Sequence, residues 1–346
     1  MKNQTRSFQA LTIGGPERVE YVHLRIPEPQ ADQVLVEVRA CGICGSDLRL
    51  YRQGEIDSAF FGHEFSGTVV AVGSNIADYH PGDRISAGLS SGCGTCEPCN
   101  RGLPNFCRRS QNQFHPGGFA EFCMVTCAEG FRPIVRIPDA LDDIRATLFE
   151  PLSCAMRISS RIAAARGARI LILGLGMMGV LSGLLFKKST QGVFIVGADT
   201  HSGRVELGQE LGLDRCVRLN SGNLKGIDDL VADFDIVVDA TGVASVFPLA
   251  VDLARLGGSV ILAGVPAGSI PFAPLPIFRK ELTIIGAKGP FPYPNGEGGA
   301  HALDLLLSSD IPWDKLVTIF PFRLAAEAFL SSANNGPLKS VLSFGS

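Results

Sequence analysis

The chain has no block of lysines or arginines, and its net charge over 346 residues is only -3. A nucleic-acid or membrane-surface footprint is therefore not expected. Paired bases such as Arg108-Arg109 and Lys187-Lys188 read as solvated surface. A secretory signal is missing too: Met1 to Ala10 mixes Lys2, Asn3, Gln4, Arg6 and Ser7 without an apolar core. Nor is a membrane span expected, because the apolar stretch from Ile170 to Phe186 is short and carries four glycines. Internal repeats and low-complexity tracts are absent as well. Ten cysteines without a secretory signal suggest a reducing compartment, where thiols bind metal or stay free. The cytoplasm is the expected location.

What is present suffices for two domains, each with a sizeable core. The first part reads as short strands with frequent breakers. Gln33 to Arg39 alternates as a half-buried strand should, and Thr68 to Val72 reads as a more buried one. Gly14-Gly15-Pro16 and Pro81-Gly82-Asp83 punctuate a compact, β-rich, barrel-like domain. Near Asp142 the texture changes. Ala146 to Ala165 reads as helix, with Pro151 tolerated near its start. Arg169 to Leu173 follows as a fully buried strand. Strands and helices then alternate through Gly192–Gly197, Arg204–Leu211, Phe234–Asp239, Ser245–Leu256 and Ser259–Leu262. That order argues for a parallel, doubly wound sheet of the α/β class, with the junction near residue 155.

Three motifs carry chemistry. Cys93, Cys96, Cys99 and Cys107 follow the spacing C-x2-C-x2-C-x7-C, which lets four sulfurs meet on one tetrahedral, structural Zn²⁺. Gly92, Gly94, Pro98 and Gly102 supply the turns of such a lobe. The alternative is ordinary buried cysteines or disulfides.

Gly174-Leu175-Gly176-Met177-Met178-Gly179 matches G-x-G-x-x-G directly after a buried strand and at the start of a helix, Val180 to Phe186. The first glycine permits the turn, the second lets backbone amides approach a pyrophosphate, and the third allows close helix–strand packing. Asp199, twenty residues beyond Gly179, ends the next strand, where a carboxylate accepts ribose hydroxyl protons. An aspartate there repels a 2′-phosphate, which favours NAD over NADP. Arg204 is expected near the adenine or as an exposed helix residue. Met177 and Met178 are expected to pack beneath the loop.

The third motif is dispersed. Cys44 lies in the glycine-flanked turn Gly42 to Asp47, His63 and Glu64 adjoin before a strand, and Glu150 interrupts the apolar stretch Leu148 to Leu152. A thiolate, an imidazole and a carboxylate make an incomplete metal shell that leaves room for water or substrate. The bland alternatives are a satisfied core histidine at 63 and a salt-bridging Glu150.

In this order the motifs resemble the zinc-dependent medium-chain dehydrogenase/reductase superfamily over essentially the whole chain, from Val34 to Lys280-Glu281-Leu282-Thr283 and beyond. The signature G-H-E-x2-G-x5-G is met by Gly62, His63, Glu64, Gly67 and Gly73. Gly117 to Glu121 and Asp239 to Gly242 also resemble family stretches. Within the superfamily the chain is most similar to the polyol (sorbitol-type) dehydrogenases, since Glu150-Pro151-Leu152-Ser153 stands where the alcohol dehydrogenase branch has a ligand cysteine.

The resemblance implies a GroES-like catalytic domain over 1–155, with the zinc lobe at about 92–108. It implies a Rossmann NAD-binding domain over 156–290 and a C-terminal segment, 291–346, returning to the catalytic domain. It places Cys44, His63 and either Glu64 or Glu150 on a catalytic zinc, with Cys154 a poorer substitute, so that each chain holds two zinc ions. It adds Thr241, Gly264 and Val265 to the cofactor site. It also implies a homodimer or homotetramer through the cofactor domain's sheet edge, with Ser269 to Ile277 a candidate contact.

Three departures stand out. Arg49 occupies the place of a relay histidine, and an arginine cannot accept a proton. The segment from Tyr51 to Phe60 is shorter than usual. Ala287-Lys288-Gly289-Pro290 lacks the substrate-side arginine of sorbitol enzymes.

The implied reaction is reversible oxidation of a secondary alcohol, with hydride passing to NAD⁺ and Ser46 handling the hydroxyl proton. A polyol, cyclitol or sugar alcohol is the first choice of substrate. Arg49 and Lys288 raise an anionic alternative, a sugar-alcohol phosphate or a threonine-like hydroxy-amino acid. A non-enzymatic, zinc-stabilised dinucleotide-binding protein is the remaining alternative, and the joint presence of Cys44, His63, Glu64 and Glu150 argues against it.

Overall fold

The computed structural model describes residues 7–54, 61–88, 92–108, 113–127, 133–219, 233–266, 268–269, 272–289 and 297–345. The chain divides into two compact units, one formed by Met1–Ser153 with Pro290–Ser346 and the other by Cys154–Gly289. Parts of two segments singled out from the sequence, 55–60 and 270–271, lie outside the described residues, as do Arg109 and Pro290.

In the first unit, β1 (Ser7–Gly15) and β2 (Arg18–Arg25) pair as an antiparallel hairpin. They are followed by β3 (Gln33–Gly42), α1 (Gly45–Gln53), β4 (Glu64–Val72), β5 (Arg84–Ala87) and α2 (Glu97–Asn100). Next come β6 (Phe114–His115), β7 (Phe122–Thr126), β8 (Ile134–Arg136), α3 (Asp143–Ala146) and then α4 (Phe149–Ser159), which begins in this unit and ends in the second.

The helix expected over 146–165 is α4 alone, Phe149–Ser159, shorter at both ends, and α3 precedes it. Asp142 caps α3 by accepting from the Arg145 amide at 2.8 Å, and Thr147 and Leu148 separate it from α4. Pro151 falls in the first turn of α4, where its missing N–H leaves no bond unmade. Arg161 to Ala165 favours helix by composition, yet the chain leaves α4 at Ser159; propensity is a weak prior against tertiary demands.

The second unit alternates strand and helix. It runs β9 (Arg169–Leu173), α5 (Met177–Ser189), β10 (Phe194–Asp199), α6 (Ser202–Glu210), β11 (Arg215–Arg218) and β12 (Phe234–Asp239). It continues as α7 (Val246–Leu253), β13 (Ala254–Leu262), α8 (Leu275–Lys280) and β14 (Thr283–Gly286). The six strands lie in the order β11-β10-β9-β12-β13-β14, all parallel. From β9 the chain builds outward first through β10 and later through β12. That reversal creates the crevice at the carboxyl ends of the strands where doubly wound sheets bind ligands. Both faces of such a sheet are covered, so the strands are near-continuous apolar runs; Ile170, Leu171 and Ile172 are fully buried. The helix expected at 180–186 begins earlier, at Met177, and the one expected to reach Leu256 stops at Leu253, where β13 begins.

The chain then returns to the first unit as α9 (Glu297–Leu307), β15 (Val317–Pro321), α10 (Ala325–Ala333) and β16 (Lys339–Ser343). Its large sheet has the path β15-β16-β3-β4-β5-β8, with β7 on β3 and β6 on β7. The first unit is thus GroES-like and the second Rossmann-like. Pairing of β16 with β3 sets Val341 opposite Gly42, so the last strand lies beside the start of the Cys44 turn.

Beneath that turn sits an aromatic cluster. Phe61 and Phe119 have ring centroids 4.8 Å apart, Phe119 and Phe329 5.3 Å, and Tyr51 and Phe329 5.4 Å. Offset and edge contacts of this kind add to the burial of large apolar area. The cluster ties α1, α10 and the segments before His63 and after Gly118 into one body.

Candidate active site and cofactor site

The turn carrying Cys44 is fixed by its own helix. Asp47, three residues on and fully buried, accepts from the Cys44 amide through Oδ2 at 2.8 Å. Its other oxygen accepts from the Gly62 amide at 3.1 Å and lies 3.9 Å from Nδ1 of His63. One carboxylate therefore clamps the cysteine turn to the histidine turn. Gly62 has φ +72°, and a Cβ there would come within 2.6 Å of the Phe119 amide nitrogen, so only glycine fits. His63 is 3 % exposed.

The ligand atoms of Cys44, His63 and Glu64 lie within 4.8 Å of one another. Glu64 begins β4 rather than preceding it, and its side chain is 1 % exposed. Both its oxygens accept from Lys339 Nζ on β16, at 2.7 and 2.5 Å, and Lys339 also donates to the Ile43 carbonyl at 3.1 Å. A Cβ on Gly42 would stand 2.4 Å from the Glu64 carboxylate, so the bare backbone there makes room for it. Glu150 is not in the 4.8 Å set. It is 4 % exposed in the first turn of α4, and its charge acts on both His63 and Lys339.

The electrostatics favour a cation. Burial lowers the proton affinity of His63, but Cys44, Asp47 and Glu150 outweigh it and raise the imidazole well above its usual range. Burial pushes the Asp47 carboxyl up to about 6, against the lowering effect of His63 and the Cys44 and Gly62 amides. Lys339 is depressed by burial but raised overall by Glu64, Cys44 and Glu150. A centre that concentrates this much negative charge out of water holds its protons tightly and suits a dication in their place. A sulfur, an imidazole nitrogen and a carboxylate oxygen form the mixed set expected of a catalytic zinc with an open position.

The four lobe cysteines also converge, their sulfurs within 4.8 Å of one another. Cys96 Sγ lies 3.4 Å from Cys99 Sγ and 3.9 Å from Cys107 Sγ. A Zn–S bond of roughly 2.3 Å implies a tetrahedral edge of about 3.8 Å, so the cage fits the ion. Hydrogen bonding from Thr95, with backbone help, brings the Cys93 thiol down to about 5. All ten cysteines are free thiols.

In the second unit, the expected cofactor residues gather at the carboxyl edge of the parallel sheet. Gly174 has φ +90°, and a Cβ on Gly179 would lie 1.9 Å from the Gly174 carbonyl oxygen. At Gly176, by contrast, a Cβ would meet nothing within 4 Å. The loop is closed on both flanks and open at its centre, at the N-terminus of the 13-residue α5. That cradle fits a pyrophosphate.

Thr241 donates through both its amide and its hydroxyl to Asp239 Oδ1, at 3.0 and 2.7 Å. Gly264 donates to the Asp239 carbonyl at 2.9 Å, and Val265 stands 73 % exposed beside it. Met177 is buried as expected and Met178 half-buried. Asp199, 7 % exposed, accepts from the Leu175 amide at 2.7 Å and the His201 amide at 2.9 Å. Arg204 Nη1 is 3.8 Å from the same carboxylate.

Arg49 is exposed on α1, one turn beyond the half-buried Ser46, and Lys288 is exposed just after β14. Cys154 follows Glu150 by one helical turn and is half-buried. Asp47 and Lys339 are the site residues that sequence reasoning missed. Asp47 had a local signal, because an acidic residue three positions after a turn residue is the capping-box arrangement. Lys339 had none, since 275 positions separate it from Glu64.

Comparison with known proteins shows the family. Residues 30–139 match the alcohol dehydrogenase GroES-like domain family, and residues 174–294 match the zinc-binding dehydrogenase family. A D-arabinitol dehydrogenase of Uromyces fabae is 31% identical over 304 residues, covering 83% of this chain and 84% of that protein. A D-altritol 5-dehydrogenase of Agrobacterium fabrum is 32% identical over 282 residues, covering 78% of this chain and 81% of that protein. An alcohol dehydrogenase of Escherichia coli CFT073, solved with NADH, superposes with a TM-score of 0.85 at 26% identity, covering 98% of this chain and 99% of that one. The chain belongs to the zinc-dependent medium-chain dehydrogenase/reductase superfamily, in its polyol branch, and is a zinc-dependent alcohol/polyol dehydrogenase.

Proposed function

We propose that Cys44 and His63 hold the catalytic zinc together with a carboxylate drawn from Glu64 and Glu150, and that Cys93, Cys96, Cys99 and Cys107 hold the structural one. The observation that carries this is the convergence of Cys44, His63 and Glu64 on one buried centre, braced by Asp47. Held there, zinc would supply Lewis-acid polarisation of an alcohol oxygen, and bound NAD would serve as the hydride acceptor.

The residues of the chain do the rest. Asp47, 3.9 Å from His63 Nδ1, braces the imidazole from that side. Ser46, in the first turn of α1, takes the hydroxyl proton at Oγ and passes it outward. Arg49, one turn further on, offers a guanidinium with no acceptor site, so the outward path runs through water or the cofactor ribose rather than through a relay histidine. Lys339 neutralises Glu64 and limits the negative charge facing the centre.

The substrate we infer is a neutral polyol, cyclitol or sugar alcohol, in keeping with the arabinitol and altritol relatives. NADH formation by zinc-replete protein, measured over polyols, cyclitols, threonine and sugar-alcohol phosphates, tests it. Turnover of a neutral member supports the reading. Activity confined to anionic members overturns it and directs attention to Arg49 and Lys288.

We further infer a homodimer through the free edge of β14. Phe278 is 80 % exposed, Phe272 and Leu275 are each 48 % exposed, and Ile284 on β14 is 36 % exposed. Ile284 lies on β14, which pairs only with β13 among the described residues, and Leu275 and Phe278 lie on α8; exposed apolar side chains beside such an edge invite a partner. Light scattering that shows only monomer sinks the inference. Among the described residues no helix is long and apolar enough to cross a membrane. A thiol-rich metal lobe supports a reducing compartment such as the cytoplasm.

A further inference from the structure

At the carboxyl end of β10, where the adenosine ribose of a dinucleotide lies in this topology, the charges do not balance as one aspartate alone would set them. Asp199 is buried, and its two oxygens already accept the Leu175 and His201 amides. Arg204 faces the same carboxylate at 3.8 Å, and its Nε is buried without a hydrogen-bond partner among the described residues. A second guanidinium stands beside it. Arg218 is the register partner of Asp199 in the parallel β10–β11 ladder, so both side chains issue from the same end of adjacent strands. Its Nε donates to the Thr200 carbonyl at 3.3 Å, which folds the guanidinium back over the β10 terminus. Arg218 is exposed and forms no ion pair among the described residues.

We propose that Arg204 and Arg218 form a phosphate-binding cradle flanking Asp199, so that the dinucleotide site accepts the 2′-phosphate of NADP⁺ as well as the 2′-hydroxyl of NAD⁺. An aspartate normally excludes the phosphate by like-charge repulsion and offers the hydroxyl an acceptor. Here the carboxylate is shielded by two amides and one guanidinium, leaving two cations against one anion. Guanidinium forks match phosphate oxygens, and such charge-assisted bonds exceed neutral ones in strength. Arg218 is then a determinant of cofactor choice rather than surface charge. The proposal rests on the dinucleotide site described above but not on the identity of the alcohol.

Calorimetric titration of the zinc-replete protein with 5′-AMP and with 2′,5′-ADP tests it, since the two differ only by the 2′-phosphate. The expected result is binding of 2′,5′-ADP within about tenfold of 5′-AMP. Arg218→Ala should shift the ratio of the two dissociation constants against 2′,5′-ADP by about tenfold, the scale of one lost charged hydrogen bond. Arg218→Lys should restore part of that shift. A larger preference for 5′-AMP in the parent protein, or an unchanged ratio in Arg218→Ala, overturns the cradle. Failure of both nucleotides to bind removes the dinucleotide site itself and the cradle with it. A wrong substrate class leaves the titration untouched, because no alcohol is present. Arg218 is exposed, so the variants should fold, and unchanged circular-dichroism melting verifies that.

Discussion

Lys339 Nζ lies 2.5 Å from one oxygen of Glu64 and 2.7 Å from the other, joining the last strand of the chain to the metal-facing end of β4. The lysine is 4 % exposed and the glutamate 1 %. A buried pair of this kind adds little net stability over an apolar pair, but breaking it strands a charge. Lys339→Met should therefore destabilise the protein by about 3–5 kcal/mol, read from urea denaturation. The double variant Lys339→Met/Glu64→Gln should recover much of that loss. If the single variant unfolds at the same urea concentration as the parent, Lys339 is not holding a charged partner.

Asp47 acts on the metal centre without belonging to the converging set. It bonds the amides that shape the Cys44 and Gly62 turns and stands 3.9 Å from the His63 ring. Partners of this sort orient metal ligands, and their loss typically costs about 10–100-fold in affinity. Asp47→Asn should lose one zinc in competition with a chelator at which the parent keeps two. The variant should retain the zinc of the cysteine lobe. Retention of both ions against the same chelator would show that the clamp is not what orients the histidine.

The aromatic cluster makes a claim about stability rather than chemistry. Phe329 on α10 is fully buried, with its ring 5.3 Å from Phe119, 5.4 Å from Tyr51 and 5.8 Å from Phe61. Phe329→Ala should cost about 3–5 kcal/mol through lost transfer energy and the cavity left behind. Because Phe61 precedes Gly62-His63, the same variant should also raise the zinc concentration needed for half-maximal activity. A loss under about 1 kcal/mol would mean that the surroundings collapse to fill the space.

What the sequence made legible follows the range of the interactions. The cysteine lobe and the glycine loop are local, and short spacings carry them: Cys93, Cys96 and Cys99 sit on one knuckle, and Gly174 to Gly179 on one turn. The parallel sheet was equally readable, since a strand buried on both faces is a plain apolar run such as Ile170-Leu171-Ile172. Helix ends were not: α4 begins at Phe149 and ends at Ser159, although Arg161 to Ala165 favours helix by composition. The Lys339–Glu64 pair was out of reach because no local period links β16 to β4. The charge state of the ribose end was equally hidden, since only the register of β10 with β11 sets Arg218 beside Asp199.

A surface pair supplies a pH test away from the metal. Arg136 donates to Asp83 at 2.7 Å and holds its carboxyl below the ordinary aspartate value of 3.8. A depressed folded value means that the unfolded chain binds the proton more readily. The stabilisation is therefore present above about pH 4 and disappears as pH falls through the folded value. Arg136 is 54% exposed, so water and salt screen the pair and its share is about 0.5 kcal/mol. Asp83→Asn should flatten the acid limb of the stability–pH curve by that amount at low ionic strength. An acid limb identical to the parent's would show that the pair contributes nothing in solution.

The zinc lobe should prove separable from catalysis in composition but not in stability. Its four sulfurs already converge within 4.8 Å of one another, and Cys93 and Cys107 are 1% and 3% exposed. A structural site of this type contributes folding energy directly, because the unfolded chain offers no preformed cage. Cys107→Ser should reduce zinc from two ions to one per chain and lower the melting temperature by several degrees. The remaining ion should still resist removal as the parent's catalytic ion does, because Cys44, His63 and Glu64 are untouched. Loss of both ions together would mean that the two centres fold as one cooperative unit. Retention of two would place the second zinc elsewhere than on these four cysteines.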